Sequence, residues 1–154
     1  MLADRIAFQM PPAPACKPLS ATLPQNTKMD IDEIIDNIYL LPEVSKQTFK
    51  KYISEVSFPK GYILLRSDRI EKNIYFIKQG IVRAYAKTDD SETTFWLGQE
   101  GDVAISMKSY VAHQKGYEDI ELLEKSVFYK LNIQNLQNLF EQDIHFANWG
   151  RKLI

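Results

Sequence analysis

Apolar and polar residues change their spacing twice along the chain, from a helical period to an alternating one and back again. After Asp30 and Glu33, which occupy the positions of a helix-capping pair, isoleucines recur at helical spacing and predict a short helix over residues 29–41. A second helix is predicted to begin at Pro42 and to end before Pro59. Its predicted apolar face consists of Val44, Phe49, Tyr52, Ile53 and Val56.

The middle of the chain consists of short β-branched and aromatic segments separated by turn residues, a pattern typical of strands. The turns at 79–80 and 89–91 are short enough to predict hairpins. Many short strands at intervals of roughly 8 to 12 residues predict an antiparallel sandwich or jelly roll and not a parallel sheet. The predicted strands are residues 62–65, 73–78, 81–87, 93–97, 120–123 and 126–132.

Helical spacing returns after the last predicted strand. Ile133, Leu136, Leu139 and Phe140 predict one short helix, and a further helix is predicted to begin near residue 143 and to be still in progress at the last residue. Five of the seven prolines fall within residues 1–28, where no apolar period exists, so this segment is predicted to be disordered. The predicted parts are a tail (1–28), a β-roll domain with N-terminal helices (29–142) and the start of a C-terminal helix (143–154).

Composition and charge narrow the classes of function. A length of 154 residues suits one domain, and 45% hydrophobic with 25% charged residues is ordinary for a globular protein. The formal net charge of -1 argues against a polyanion-binding surface, because such surfaces need a clustered excess of Lys and Arg. Cys16 stands alone in the proline-rich tail, and no segment is long and apolar enough for a membrane helix or a secretory signal. We therefore expect a cytoplasmic protein without membrane contact.

The region 73–102 resembles the Crp/Fnr transcription regulators, in which two strands join through a Lys-x-Gly turn and a Gly-Asp pair follows a second turn. Here Lys78 with Gly80, and Gly101 with Asp102, stand at those positions. The resemblance is strongest to the Crp/Fnr-like proteins of Bacteroidetes-type bacteria. The residues that fit that pattern are Phe95, Trp96, Gly101, Asp102, Ser106, Ser109, Leu122, Leu123, Glu124 and Ser126.

The resemblance implies a mainly β fold with flanking helices: the double-stranded β-helix, or jelly roll, of cyclic nucleotide-binding domains. Two short helices would precede the roll, and the start of a dimerisation helix would follow it. Gly80, Gly101 and Asp102 are equally well explained by turn chemistry alone, since tight turns need such residues whatever the function.

The segment from Gly101 to Ser126 departs from the family pattern where a cyclic phosphate would bind. In relatives that bind cyclic AMP, the resemblance implies a Gly-Glu-Leu segment and, ten residues after its Glu, an Arg followed by Ser or Thr. An ungapped alignment places residues 105–107 and 116–117 there, so both charged side chains are missing. A cyclic nucleotide is therefore disfavoured, and no other cofactor is expected. The candidate pocket residues are Gly101, Asp102, Ile105, Ser106, Met107, Lys108, Ser109, Lys115, Gly116 and Tyr117.

Two features of this cassette leave alternatives open. Lys108 or Lys115 would supply a point charge in place of the missing Arg, or both are solvated loop lysines. The acids Glu118, Asp119 and Glu121 would repel a phosphate if they faced the pocket. Asp119 and Glu121 alternate with apolar residues on a predicted strand, which favours an outward direction for these two.

The predicted function is effector sensing within a Crp/Fnr-like regulator, with an unknown small ligand or none. The resemblance implies a homodimer in the intact regulator and DNA contact through a helix-turn-helix that this sequence does not include. Another hypothesis is an interaction module without a ligand. The candidate dimer residues, which would otherwise pack on the protein's own roll, are Phe146, Trp149, Gly150 and Leu153.

An enzyme of the cupin type would need several metal-binding histidines inside the roll. The sequence has only His113 and His145, which cannot form a His-x-His pair, and no metal site is predicted. We therefore expect a protein without enzymatic activity.

Overall fold

The computed structural model describes residues 28–153, so the predicted disordered tail, with Cys16, lies almost entirely outside the described residues. The helices are α1 (Ile31–Ile38), α2 (Glu43–Lys50), α3 (Met107–Ala112), α4 (Ile133–Gln142) and α5 (Ile144–Leu153). The strands are β1 (Ile53–Phe58), β2 (Ile63–Leu65), β3 (Asn73–Gln79), β4 (Val82–Lys87), β5 (Glu92–Gly98), β6 (Val103–Ala104), β7 (Asp119–Leu122) and β8 (Ser126–Asn132). Two helices, the strands of the roll and two final helices follow one another as the sequence pattern predicts, with strands β1 and β6 and helix α3 in addition.

Two four-stranded antiparallel sheets, in the orders β1-β8-β3-β6 and β2-β7-β4-β5, form the predicted jelly roll. Side chains on β3 alternate between two cores because successive residues of a strand point to opposite faces. Tyr75 and Ile77 belong to the cluster between the sheets, whereas Ile74 and Phe76 belong to a second cluster beneath the helices. The first sheet is therefore buried on both faces, and it links the two cores.

The helices cover the outer face of the first sheet. Trp149 of α5 is fully buried, and its indole Nε1–H donates a hydrogen bond to the Ile35 carbonyl of α1 at 3.1 Å. The Phe49 ring of α2 meets the Trp149 ring edge-on with centroids 4.9 Å apart. In this way α5 is held by both N-terminal helices, as aromatic pairs of this geometry add to the free energy gained by burial.

The predicted extent of the second helix is wrong. Helix α2 ends at Lys50, and Ile53–Phe58, of which Ile53 and Val56 were assigned to its apolar face, form strand β1 instead. Val56 lies opposite Phe128, and Ile53 lies opposite Leu131 on β8. Pairing with β8 satisfies the backbone of this segment, and tertiary context of this kind overrides a weak helical period.

The turn at Gln79 and Gly80 is compact, as predicted, but it does not form a hairpin. It carries the chain from β3 in one sheet to β4 in the other. Gly80 has a φ of +136°, and a Cβ there would overlap the side chain of Ser126 and lie 3.0 Å from its Cα. Only glycine fits this position. The predicted hairpin at 89–91 is confirmed, since β4 pairs with β5 and the Thr88 amide donates to the Ser91 carbonyl at 2.8 Å.

Candidate functional site

The cassette between β6 and β7 is built around α3. Ser106 precedes this helix, and its buried hydroxyl oxygen accepts the Ser109 amide N–H at 3.4 Å. Serine is favoured at this position because its side chain satisfies an amide that the first turn leaves free. His113 ends the helix in the left-handed region, with a φ of 55°.

Ser109 ties the cassette to the segment before β3. Its fully buried hydroxyl accepts the Glu71 amide N–H and donates to the Gln114 carbonyl, each at 2.9 Å. One side chain therefore joins α3 to the chain on both sides of it. Both predicted pocket serines, Ser106 and Ser109, face inward and are engaged with the protein itself.

Gly116 stands where the aligned family members carry their arginine. A Cβ at this position would lie 2.7 Å from the Ser106 Oγ and 3.4 Å from the Glu118 Oε1. Direct contact with a carboxylate and a buried hydroxyl leaves little room for a side chain. A carboxyl group therefore lies in contact distance of the Cβ position at residue 116. The loss of the anion-binding charge from this cassette stays a prediction.

Glu118 contributes the carboxyl group of a small cavity inside the roll. Its Oε1 accepts the Tyr117 amide N–H at 3.3 Å, and burial raises the pKa of the carboxyl group. The cavity has a volume of about 10 Å³, whereas pockets for organic ligands usually measure about 300–1,000 Å³. Besides Glu118 its lining is apolar and aromatic: Ala84, Phe95, Trp96, Val103, Ile105 and Ile120.

Trp96 is the largest side chain in this lining. It is 7% exposed, and a Cβ on Gly98 would lie 2.6 Å from its ring. The indole therefore packs against a backbone position that must remain free of a side chain. Sequence analysis used Trp96 only as a family landmark, and it considered Glu118 only as an acid that would repel a phosphate, not as a pocket residue. The inward face of β5 was the signal that would have indicated Trp96.

The turn before the cassette matches its prediction. Gly101 has a φ of +91°, and the Asp102 carboxylate accepts the Gln99 amide N–H at 2.8 Å. Burial raises the pKa of Asp102. This turn also contacts the N-terminal segment, because a Cβ on Gly101 would lie 2.7 Å from the Sδ of Met29.

The remaining cassette candidates are divided between the surface and the core. Lys108, Lys115 and Tyr117 are exposed, and the Lys108 Nζ lies 5.3 Å from the centre of the Tyr117 ring. Ile105 is buried in the core beneath the helices, and Met107 packs against it. Both lysines are thus solvated in this structure, and a role for either as a point charge stays a prediction. The acids of β7 are directed as expected, since Ile120 and Leu122 are buried and Glu121 pairs with Arg83 at 2.8 Å.

The four candidate dimer residues lie inside their own protomer. Phe146, Trp149 and Leu153 are at most 2% exposed, and a Cβ on Gly150 would lie 2.5 Å from the Phe140 ring. These contacts correspond to the alternative that the sequence left open, packing of the helix on its own domain. Dimerisation itself stays a prediction.

Neither a metal centre nor a membrane segment is evident in the part of the chain that the structure describes. Within residues 28–153 no group of three His, Cys, Asp or Glu side chains is arranged to hold a metal ion. None of the helices in this range has the length and apolar character needed to cross a membrane. The absence of enzymatic activity remains a prediction.

The fold and cassette together define a β-roll domain of the kind that regulators use to sense small molecules. The sequence model of the cyclic nucleotide-binding domain matches residues 55–143. The chain therefore belongs to the cyclic nucleotide-binding domain family. A comparison with proteins of curated function gave no sequence match.

Solved structures with the same fold include transcription regulators and kinase regulatory subunits. The catabolite activator protein of Thermus thermophilus superposes with a TM-score of 0.66 and 15% identity, covering 75% of this chain and 55% of that one. The sensor domain of the regulator DNR from Pseudomonas aeruginosa gives 0.63 and 13%, covering 74% and 75%. The regulatory subunit of a cAMP-independent protein kinase A from Trypanosoma cruzi, bound to guanosine, gives 0.62 and 16%, covering 78% and 47%.

These likenesses confirm the predicted fold and its similarity to sensor domains of Crp/Fnr-type regulators. The chain spans about half the length of several of these structures, including 55% of the Thermus protein. The closer assignment to Bacteroidetes-type regulators remains a prediction.

Proposed function

We propose that this chain is the effector-sensing domain of a Crp/Fnr-like transcription regulator whose cassette does not bind a cyclic phosphate. The observation that supports the proposal is the pair formed by Gly116 and Glu118. A carboxyl oxygen lies where a Cβ at residue 116 would contact it at 3.4 Å, and no arginine is available from the aligned position. Loss of a charge-assisted bond to phosphate weakens binding more than tenfold, since such bonds contribute about 1.5–3 kcal/mol.

The ligand class that fits this cassette is uncharged. Glu118 is a hydrogen-bond acceptor for hydroxyl or amine donors, and Trp96 offers an aromatic face in the same cavity. The T. cruzi neighbour, which is bound to guanosine, illustrates that this fold accommodates a nucleoside without phosphate. Entry of such a ligand requires Trp96 or the 113–118 segment to move, because the cavity holds about 10 Å³.

The test is thermal unfolding with cyclic AMP, cyclic GMP, cyclic dinucleotides and guanosine. A ligand at a hundred times its dissociation constant adds about 2.7 kcal/mol to the free energy of unfolding. We expect no stabilisation by the cyclic nucleotides. Saturable stabilisation by cyclic AMP that is lost in Ser106→Ala and retained in Lys115→Ala would overturn the proposal.

A ligand-free interaction module is a second candidate, which the small volume of the cavity favours.

In the intact regulator we propose a homodimer formed through the helix that continues from α5, with DNA bound by a further helix-turn-helix. Within this chain the outward face of α5 carries His145, Arg151 and Lys152. Sedimentation of wild type and of the Arg151→Glu/Lys152→Glu variant tests for self-association. A dimer that this variant disrupts supports the module, and a monomer at all concentrations removes α5 as a dimer surface of this chain.

A further inference from the structure

A groove of about 240 Å³ lies at the end of α3 and shares no lining residue with the roll cavity. Three separate parts of the chain form its walls. Residues 70–72 come from the segment before β3, His113 comes from the end of α3, and residues 132–134 come from the junction of β8 with α4. The groove thus lies where the cassette meets the helices that lead away from the roll.

The backbone around the groove is fixed on two sides. The Glu71 amide N–H donates to the Ser109 Oγ at 2.9 Å, and the Ile133 amide N–H donates to the Lys72 carbonyl at 2.9 Å. His113 ends α3 in the left-handed conformation common at helix C-termini, and its amide N–H donates to the Ser109 carbonyl at 3.0 Å. A fixed backbone of this kind suits a preformed binding site.

The groove contains charges of both signs that are not paired with each other. The Glu71 carboxylate accepts the Asn73 amide N–H at 3.2 Å and is also hydrogen-bonded by the Lys72 amide and the Asn73 side chain, while Arg69 acts on it only at longer range. Burial nevertheless raises the pKa of this carboxyl group. No salt bridge within 4.0 Å joins Glu71, Lys72 or His113 to any other residue in the range 28–153. These local hydrogen bonds fix the half-buried carboxyl group of Glu71 at the groove and leave it without a cationic partner, and desolvated carboxyl groups in clefts are candidates for ligand binding.

We propose that this groove binds a small zwitterion, namely a free α-amino acid with an apolar side chain. The ammonium group of the ligand pairs with Glu71, and its carboxylate pairs with Lys72 and His113. Ile70, which is 48% exposed, and Ile133 supply apolar contact for the side chain. The volume lies below the range of about 300 Å³ and upward that drug-sized molecules occupy, which suits a molecule of amino-acid size.

An occupant here would bridge α3 and α4 and would act on the helices independently of the roll cavity. Helix α4 contacts α5 closely, because Phe140 lies against Gly150. Binding at the groove would therefore stabilise the arrangement of the cassette relative to α4 and α5 without a cyclic nucleotide. This proposal does not depend on which ligand, if any, the roll cavity binds.

Nuclear magnetic resonance of the 154-residue chain locates binding directly. Free L-amino acids are added one at a time, and chemical shifts of backbone amides are followed. We expect saturable shifts at Glu71, Lys72, His113 and Gln134 with at least one aliphatic amino acid. Absence of shifts with every amino acid overturns the proposal. Shifts confined to Trp96 and Glu118 also overturn it, since they assign binding to the roll cavity.

Analogues and variants then test the charge pattern. The amine and the carboxylic acid that share the side chain of the best amino acid should each bind at least about tenfold more weakly, the effect of one charge-assisted bond. Glu71→Gln, which keeps an acceptor for the Asn73 amide, and Lys72→Met should cause similar losses. Lys115→Met, an exposed lysine outside the groove, is the matched control. Equal binding of the acid alone, or unchanged affinity in both groove variants with their folds intact, contradicts the zwitterion site.

Discussion

Glu118 illustrates how the burial of one carboxyl group affects the stability of the folded protein. Its carboxyl group is partly removed from water in a largely apolar cavity, and within residues 28–153 it forms no salt bridge. Burial without a counter-charge disfavours the ionised form. The ionised form of Glu118 therefore carries a cost for the folded protein at neutral pH.

Replacement of Glu118 by Gln should make the protein more stable at pH 7 and leave its stability unchanged near pH 4. The folded-state pKa is raised above the ordinary value of 4.5, so the native form holds this proton more tightly than the unfolded form. Stability from protonated Glu118 is fully present below the unfolded pKa and is lost as the pH rises through the folded pKa. Gln keeps an acceptor for the Tyr117 amide and has no charge to lose.

The measurement is the melting temperature of both proteins across pH 4 to 7. Glu124→Gln, at an exposed position between β7 and β8, is the control and should follow wild type. Glu71 and Asp102 also have pKa values raised by burial, so wild type and variant share a remaining decline in stability with pH. A Glu118→Gln protein that is less stable than wild type at pH 7 would contradict the prediction.

At the scale of elements, the contact between α4 and α5 depends on the absence of a side chain at Gly150. A Cβ there would lie 2.5 Å from Phe140 Cζ and 2.6 Å from Cε1. Glycine within a helix costs about 1 kcal/mol relative to alanine, so its presence in α5 needs a compensating reason. Close approach of the two helices is that reason.

The effect of Gly150→Ala on the free energy of unfolding should therefore depend on the size of the side chain at position 140. With Phe140 in place, overpacking costs about 1–3 kcal/mol, which exceeds or offsets the gain in helix propensity. In a Phe140→Leu background the overlap is relieved, and the same change should stabilise by up to about 1 kcal/mol. Denaturant unfolding of the four proteins in this double-mutant cycle measures the coupling. A coupling energy near zero would show that Gly150 has no role in this contact.

Sequence patterns were sufficient for the long elements and insufficient for those that depend on pairing. The capping pair of α1 is present, with Glu33 accepting the Asp30 amide N–H at 3.3 Å, and six of the strands lie within one or two residues of their predictions. Strand β1 was missed because Ile53 and Val56 also fit a helical period, and only β8 decides between the two. Strand β6 has two residues, too few for any period.

The candidate site shows the same limit. Its chain positions followed from the resemblance, but the cavity lining did not, because Trp96 and Glu118 come together only when β4 pairs with both β5 and β7 in one sheet. Likewise the groove at Glu71 and His113 joins residues about forty positions apart, and a single sequence contains no signal for that proximity.

At the scale of the whole molecule, the two cores share one sheet and should unfold together. Residues of β3 and β8 contribute alternately to the cluster between the sheets and to the cluster beneath the helices. Loss of either cluster would expose one face of the same strands. Each cluster also holds one of the two tryptophans of the sequence, Trp96 between the sheets and Trp149 beneath the helices.

Single-tryptophan variants can therefore test the cooperativity of the two cores separately. Trp149→Phe leaves an indole that reports on the roll, and Trp96→Phe leaves one that reports on the helical layer. Each variant should be less stable than wild type. Within each variant, however, the urea midpoint from fluorescence should coincide with the urea midpoint from far-ultraviolet circular dichroism. The two should agree because one sheet supports both clusters. The Tyr85→Phe variant keeps both tryptophans and serves as the control for a substitution that removes neither indole. If Trp149 changed its emission at lower urea than the dichroism, the helices would unfold before the roll and form a separate unit.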